Sequence, residues 1–177
     1  MPRQLDSAKT IATFHCVTFM LGEDLFGIEI GFVREVIEYE GVTPVPMMPI
    51  FVRGIINLRG AVIPVLDLSV RFGRGPTDIR PSTCIAILSL PAMQGGYSDI
   101  GIMLDSVCTV LEIPLSDIGP APTLGTDIRN DFIQGIATVD SRFAILLNVQ
   151  NVLSVTELAG WAQAVVEQHW AGDEEQL

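Results

Sequence analysis

The 177-residue chain is short of basic groups, histidine and cysteine. Ten Lys and Arg stand against twenty-one Asp and Glu, for a net charge of −11. A field of that sign repels phosphate backbones and anionic lipid, so nucleic acid is not an expected partner. Only His15 and His169 are available as imidazoles, and neither has an obvious nucleophile or orienting carboxylate beside it. Cys16, Cys84 and Cys108 are an odd number, widely spaced, each inside a strand-like apolar run. That pattern predicts three buried thiols rather than a disulfide or a metal site, and no metal-ligand spacing occurs elsewhere. No apolar run reaches the roughly 18 residues of a membrane span, because Arg53, Arg59 and Asp67 interrupt the most hydrophobic stretch. The polar opening Met1–Thr10 is not followed by an apolar run of the length a signal peptide needs. A soluble, cytoplasmic protein is expected, with no direct membrane insertion.

Catalytic groupings are equally scarce. Asp67, Asp105 and Glu112 supply carboxylates, but no spacing singles out a pair for acid–base work. Gly73-Arg74-Gly75 lacks the further glycines and the Lys-Ser or Lys-Thr of a phosphate cradle. No cofactor is expected, and binding is a better class of explanation than catalysis.

What the chain does have is strand signal. Apolar residues make up 49% of it, arranged in short β-branched runs between Gly and Pro from residue 14 to residue 153. Phe14–Leu21 is apolar on both alternate faces, as a strand covered on each side would be. Gly22 to Asp24 provides a turn and Leu25–Ile30 a returning strand. Phe32, Val33, Val36 and Ile37 then fall at helical spacing and predict a turn or two of helix. Pro44–Pro49 cannot donate a full ladder and reads as an edge segment or ordered loop. Phe51–Leu68 reads as a hairpin turning at Arg59-Gly60.

The layout occurs twice. Phe132-Ile133-Gln134-Gly135-Ile136 followed by Phe143–Leu147 mirrors Phe51-Val52-Arg53-Gly54-Ile55 followed by Val62–Leu66, a constant offset of 81 positions from Gly54 to Gly135. Ile100–Leu104 with Val107 and Val110 echoes Phe26–Ile30 with Val33 and Val36, and Pro120-Ala121-Pro122 echoes Pro44-Val45-Pro46. Two related β units follow, about residues 14–73 and 83–154, each with strands enough for a small barrel. Gly73–Pro81 reads as a linker or exposed loop between them. Residues 1–13 are expected to be a flexible N-terminus. At the other end, Ser154-Val155-Thr156-Glu157 is a capping-box pattern, with Leu158, Trp161, Ala162 and Val165 at i, i+3, i+4, i+7. Residues 155–177 are therefore expected to form a C-terminal helix and an acidic tail.

The segment Phe51–Gly60 with Pro64-Val65-Leu66-Asp67-Leu68 resembles the signature of CheW-like chemotaxis coupling proteins. Val33-Arg34-Glu35-Val36, Thr43-Pro44-Val45-Pro46, Ile100–Val107 and Phe132-Ile133-Gln134-Gly135 resemble further family segments in family order, covering residues 14–154. Ser69 and Asn148 depart from it, standing where the family often has a basic and an acidic residue. The resemblance implies an all-β fold of two intertwined five-stranded SH3-like β-barrel subdomains around a shared core. It also implies an adaptor joining the cytoplasmic tip of chemoreceptors to the regulatory domain of a CheA-type histidine kinase in membrane-associated arrays. Val33, Glu35 and Val42 match positions associated with partner contact, and an apolar groove between the barrels is the implied seat for a receptor's helical hairpin. Asn57 and Arg59 alternate onto one face of their strand, opposite Ile56 and Leu58, and present a guanidinium able to hold a carboxylate. Gly54, Gly60 and Gly135 are assigned to turns and the fold itself, as is Asp67. A competing reading is a small-molecule sensor that takes a purine-like ligand in the inter-barrel cleft.

Overall fold

The computed structural model describes residues 12–92, 95–121 and 128–153. Eleven strands occur among them: β1 Thr13–Leu21, β2 Asp24–Glu29, β3 Val33–Glu38, β4 Val52–Leu58, β5 Ala61–Asp67, β6 Cys84–Pro91, β7 Tyr97–Leu104, β8 Ser106–Pro114, β9 Ile118–Gly119, β10 Ile133–Val139 and β11 Arg142–Leu147. Two single-turn helices, α1 Leu68–Arg71 and α2 Val149–Val152, follow β5 and β11. The amphipathic pattern beyond Leu153 and most of the N-terminal segment lie outside the described residues.

The strands form two sheets, ordered β8-β1-β2-β11-β10-β9 and β3-β6-β7-β5-β4. The repeat read from the sequence shows in the order of elements, five strands and α1 followed by six strands and α2, the short β9 being the extra strand, and α1 and α2 both start on a capping side chain, Asp67 and Asn148. Its halves are not the two sheets, however. The hairpin β1–β2 of the first repeat joins β8 to β11 of the second, and the hairpin β6–β7 of the second joins β3 to β5 of the first. The exchange is completed by two parallel junctions, β2 on β11 and β5 on β7. Strands from either side of residues 73–83 thus contribute to each sheet, and the two β units are intertwined.

Burial explains the exchange. One large core between the sheets takes Phe19, Phe26, Leu66 and Phe72 from the first repeat and Leu88, Ile102, Phe132 and Leu147 from the second. Three ring contacts, at centroid distances of 5.9, 5.6 and 6.2 Å, carry it from Phe19 through Phe26 and Phe72 to Phe132. The opposite faces of the strands line two smaller interiors, one around Phe14, Cys16 and Leu146 and the other around Val65, Ile85 and Ile87. Strands such as β1 are thus apolar on both faces because each face has its own core. Arg71 of α1 lies over the rings of Phe51 and Phe132, 4.9 and 5.1 Å from their centroids, further tying the repeats together.

Neither sheet closes through a continuous ladder. In each, one bent segment lies along both edges instead. Beyond β3 the chain bonds β6 through Tyr39 to Thr83, then crosses to β4, where Thr43 and Ile55 exchange two backbone bonds of 2.9 Å. In the other sheet β8 pairs with β1, and its continuation β9 pairs with β10.

Two sequence expectations change here. Phe32 ends a 3₁₀ turn, Ile30–Phe32, but Val33–Glu38 is a strand and not a helix. The spacing of Val33, Val36 and Ile37 fits either periodicity, and pairing with β6 decides in favour of the β-branched choice. Cys108 is exposed on β8, whereas Cys16 and Cys84 are buried, and burial pushes both of those thiols up. A maleimide added to native protein should therefore label Cys108 quickly, and Cys16 and Cys84 only after denaturation. Peptide mapping of the alkylated chain checks this, and early modification of Cys16 or Cys84 would contradict the burial described.

Candidate functional site

Of the residues singled out by sequence, Glu35, Val42, Asn57 and Arg59 lie together on the five-stranded sheet, at the gap between its two edge strands, β3 and β4, whereas Gly135 lies on β10 of the other sheet. The gap has three components: a tight turn, an ion pair and a groove with an apolar floor and a polar rim.

The turn comes from β4–β5, whose register places Leu58 opposite Ala61 and leaves Arg59-Gly60 as a two-residue connection. Both have positive φ, +51° and +85°, the geometry that matches the twist of paired strands. Asn57 is committed locally: its Oδ1 accepts the Gly60 N–H at 3.0 Å. The expectation that Asn57 and Arg59 form one presented pair on a strand face thus changes, since Asn57 shapes the turn and Arg59 stands in it.

Arg59 is already engaged. Its Nη1 and Nη2 each donate 2.7 Å bonds to the two carboxylate oxygens of Glu35. Sequence reading placed both residues at the site but did not pair them, because they are 24 positions apart and only the curl of the sheet brings them together. The guanidinium beside Glu35 holds its carboxyl below the usual carboxylate range. The pair therefore contributes fully above the ordinary carboxylate pKa, persists through mild acid, and is lost as pH falls through the lowered value. The Arg59 side chain remains 66% exposed, so the pair is presented to solvent rather than sealed. Arg34, one position earlier, pairs with Asp99 of β7 across β6. That contact had no sequence signal.

The groove is an open volume of about 440 Å³ between the segment 37–43 and residues 55–58. Ile37, Val42, Ile55, Ile56, Leu58 and Ile85 make its apolar floor, and Glu38, Glu40 and Asn57 its polar lining. The Thr43–Ile55 bridge bounds one end, and the Glu35–Arg59 pair ties the same two edges beyond the other. Val42 lines it while packing on the interior of this sheet. Val33 does not: it packs, half-buried, on the core between the sheets.

Among the described residues, the space enclosed by Ile28, Leu88, Ile102 and Leu147 is about 10 Å³, room for one water at most. The open groove at residues 37–43 and 55–58 belongs to one sheet rather than to the junction of two.

The glycines act on the frame. Gly54 has φ +152°, and a Cβ there would lie 2.2 Å from the Thr43 carbonyl oxygen. At Gly135, the equivalent position of the second repeat, a Cβ would meet Ile118 Cγ2 at 2.4 Å and the Gly119 carbonyl oxygen at 3.0 Å. Asp67 is wholly buried and binds four groups. It accepts from the Ser69 N–H at the start of α1, from the Thr77 N–H and Oγ1, and from Arg53 Nη1 at 3.3 Å. Gly73–Pro81 is a mostly exposed loop anchored at Thr77. Ser69 and Asn148, the two departures from family pattern, are in internal bonds, Ser69 Oγ to the Gly75 carbonyl and Asn148 Oδ1 to the Asn151 N–H.

A fold of two interlocked curled sheets, with an ion-paired corner beside an open groove of apolar floor and polar rim, defines a β-sheet scaffold of the protein-interaction class. A family model described as the CheW-like domain matches residues 15–157. The chain belongs to the CheW-like family. It is 31% identical over 141 residues to the chemotaxis protein CheW of Klebsiella aerogenes, covering 80% of this chain and 82% of that one. It is 32% identical over 142 residues to the protein FrzA of Myxococcus xanthus, covering 79% and 84%. Among solved structures it is similar to the scaffolding protein TtCheW from Thermoanaerobacter tengcongensis, with 34% identity, a TM-score of 0.70, and coverage of 80% of this chain and 88% of that one. No described helix is long and apolar enough to cross a membrane.

Proposed function

We propose that the chain is a non-catalytic adaptor of the cytoplasm that couples chemoreceptors to a CheA-type histidine kinase in a chemotaxis-type array. The observation that carries this reading is the surface arrangement at the β3–β4 gap, where the Glu35–Arg59 pair is held beside the groove lined by Val42. Such a site offers an apolar anchor with an orienting charge at its rim, which is how interfaces combine affinity with register. The match of residues 15–157 to the CheW-like domain supports it, as do relatives named for chemotaxis and for scaffolding. The contact region comprises Glu35, Val42 and Arg59, with Asn57 holding the turn and Val33 the base of β3.

Purified protein should co-sediment with chemoreceptor cytoplasmic fragments and with a CheA-type kinase. Absence of binding to either at concentrations on the order of tens of micromolar would sink the reading. Arg59→Glu should abolish or strongly weaken that binding while leaving the unfolding midpoint nearly unchanged, because an exposed ion pair contributes little to folding. The charge-swapped double variant, Glu35→Arg with Arg59→Glu, distinguishes two roles. Restored binding would mean that the bridge between the edges matters as a unit. Continued loss would mean that a partner carboxylate or carbonyl reads Arg59 itself.

A further inference from the structure

The groove carries information about its occupant. Its floor is the interior of the five-stranded sheet, exposed because β3 and β4 diverge between the Thr43–Ile55 bridge and the Glu35–Arg59 pair. In the other sheet the corresponding gap is bridged by two successive residues of β9, Ile118 and Gly119, opposite Ala137 and Ile136, and Ile118 packs onto the interior there. The five-stranded sheet has the single Thr43–Ile55 bridge and leaves Val42, Ile56 and Leu58 only partly covered. The repeat thus spans one gap with two paired residues and the other with a single bridge.

Charge at the open gap is one-sided. Glu38 and Glu40 are the charged residues lining it, both are exposed, and neither has an ion-pair partner among the described residues. The nearest cation of the turn, Arg59, is occupied by both oxygens of Glu35. An acidic or purely apolar segment entering the groove would leave these carboxylates uncompensated, whereas a cation beside an apolar anchor would satisfy them.

We propose that the groove between β3 and β4 docks a protein partner through an apolar segment flanked by lysine or arginine, the apolar side chains resting on Ile37, Val42, Ile56 and Leu58 and the cation meeting Glu38 and Glu40. This rests on the adaptor reading for the partner's being a protein, while the groove's preference can be measured separately.

The probe is a short peptide with a Leu-Ile-Val-Leu centre and lysines at both ends, compared with the same centre flanked by glutamates. Amide and methyl NMR of the full chain follows each titration. The lysine-flanked peptide should move the signals of Ile37, Val42, Ile56 and Leu58, and the glutamate-flanked one should bind at least about five-fold more weakly. Glu38→Gln with Glu40→Gln, a change on the exposed lining, should reduce that preference without altering the unfolding midpoint. Perturbation outside the groove, equal response to both peptides, or no response to either would overturn the inference. Those results leave the adaptor reading to co-sedimentation, which fails independently if the groove responds as stated but neither receptor fragment nor kinase binds.

Discussion

Replacing Gly54 by alanine should be the most damaging single-methyl change in the chain, lowering stability by more than about 3 kcal/mol or abolishing soluble expression. The new Cβ would sit 2.2 Å from the Thr43 carbonyl oxygen and 2.7 Å from its carbon, both backbone atoms that cannot rotate away. Relief requires breaking the two Thr43–Ile55 bonds, the only backbone link between segment 39–43 and β4 among the described residues. The φ of +152° adds strain that glycine alone avoids. Two controls rank the effect. Gly135→Ala should cost less, because its nearest obstacle is the Ile118 side chain. Gly60→Ala meets nothing within 4 Å and should cost about 1 kcal/mol from its positive φ alone. Urea unfolding and soluble yield of the three variants check the order, and a Gly54→Ala protein as stable as Gly60→Ala would contradict the closure described.

Asp67→Ala should lower stability by about 3–5 kcal/mol, since it strands partners inside the protein rather than at its surface. The side chain is fully buried and accepts from Ser69, twice from Thr77 and from Arg53. Without it, the Thr77 N–H and hydroxyl lose their acceptors, α1 loses its cap and Arg53 loses its counter-charge. Asp67→Asn keeps one acceptor oxygen, as Asn148 does at the start of α2, and should cost about half as much. Denaturant titration reads both. A loss for Asp67→Ala below about 1 kcal/mol would mean that water replaces the carboxylate without penalty, against its burial.

These residues also mark the division between what could and could not be read without coordinates. Gly54, Gly60 and Gly135 stood out because turn chemistry and the 81-position repeat are local patterns. Asp67 was assigned to the fold, but its partners Arg53 and Thr77 were not foreseen, because the ladder bulge at Arg53 and the path of the loop from α1 decide them. Glu35 and Arg59 were chosen separately from family-like segments, and their mutual pairing was invisible. The helical reading of Val33 to Ile37 failed because periodicity over so short a span is ambiguous until a neighbouring strand accepts it. The large shared core could not be read locally either, since it takes apolar residues from both repeats.

The sequence by itself determined the strand-rich character, the duplicated order of elements, the tight turn at Arg59-Gly60, the acidic surface and the family, because composition, β-branched runs and turn residues act over a few positions. Only the tertiary structure decided that the repeats exchange hairpins, that the interior between the sheets is closed while the gap from β3 to β4 stays open, and that Arg59 is held by Glu35. Those outcomes depend on which distant strand edges meet. That choice is made by burying both apolar faces of each hairpin at once, a global condition that no local pattern encodes.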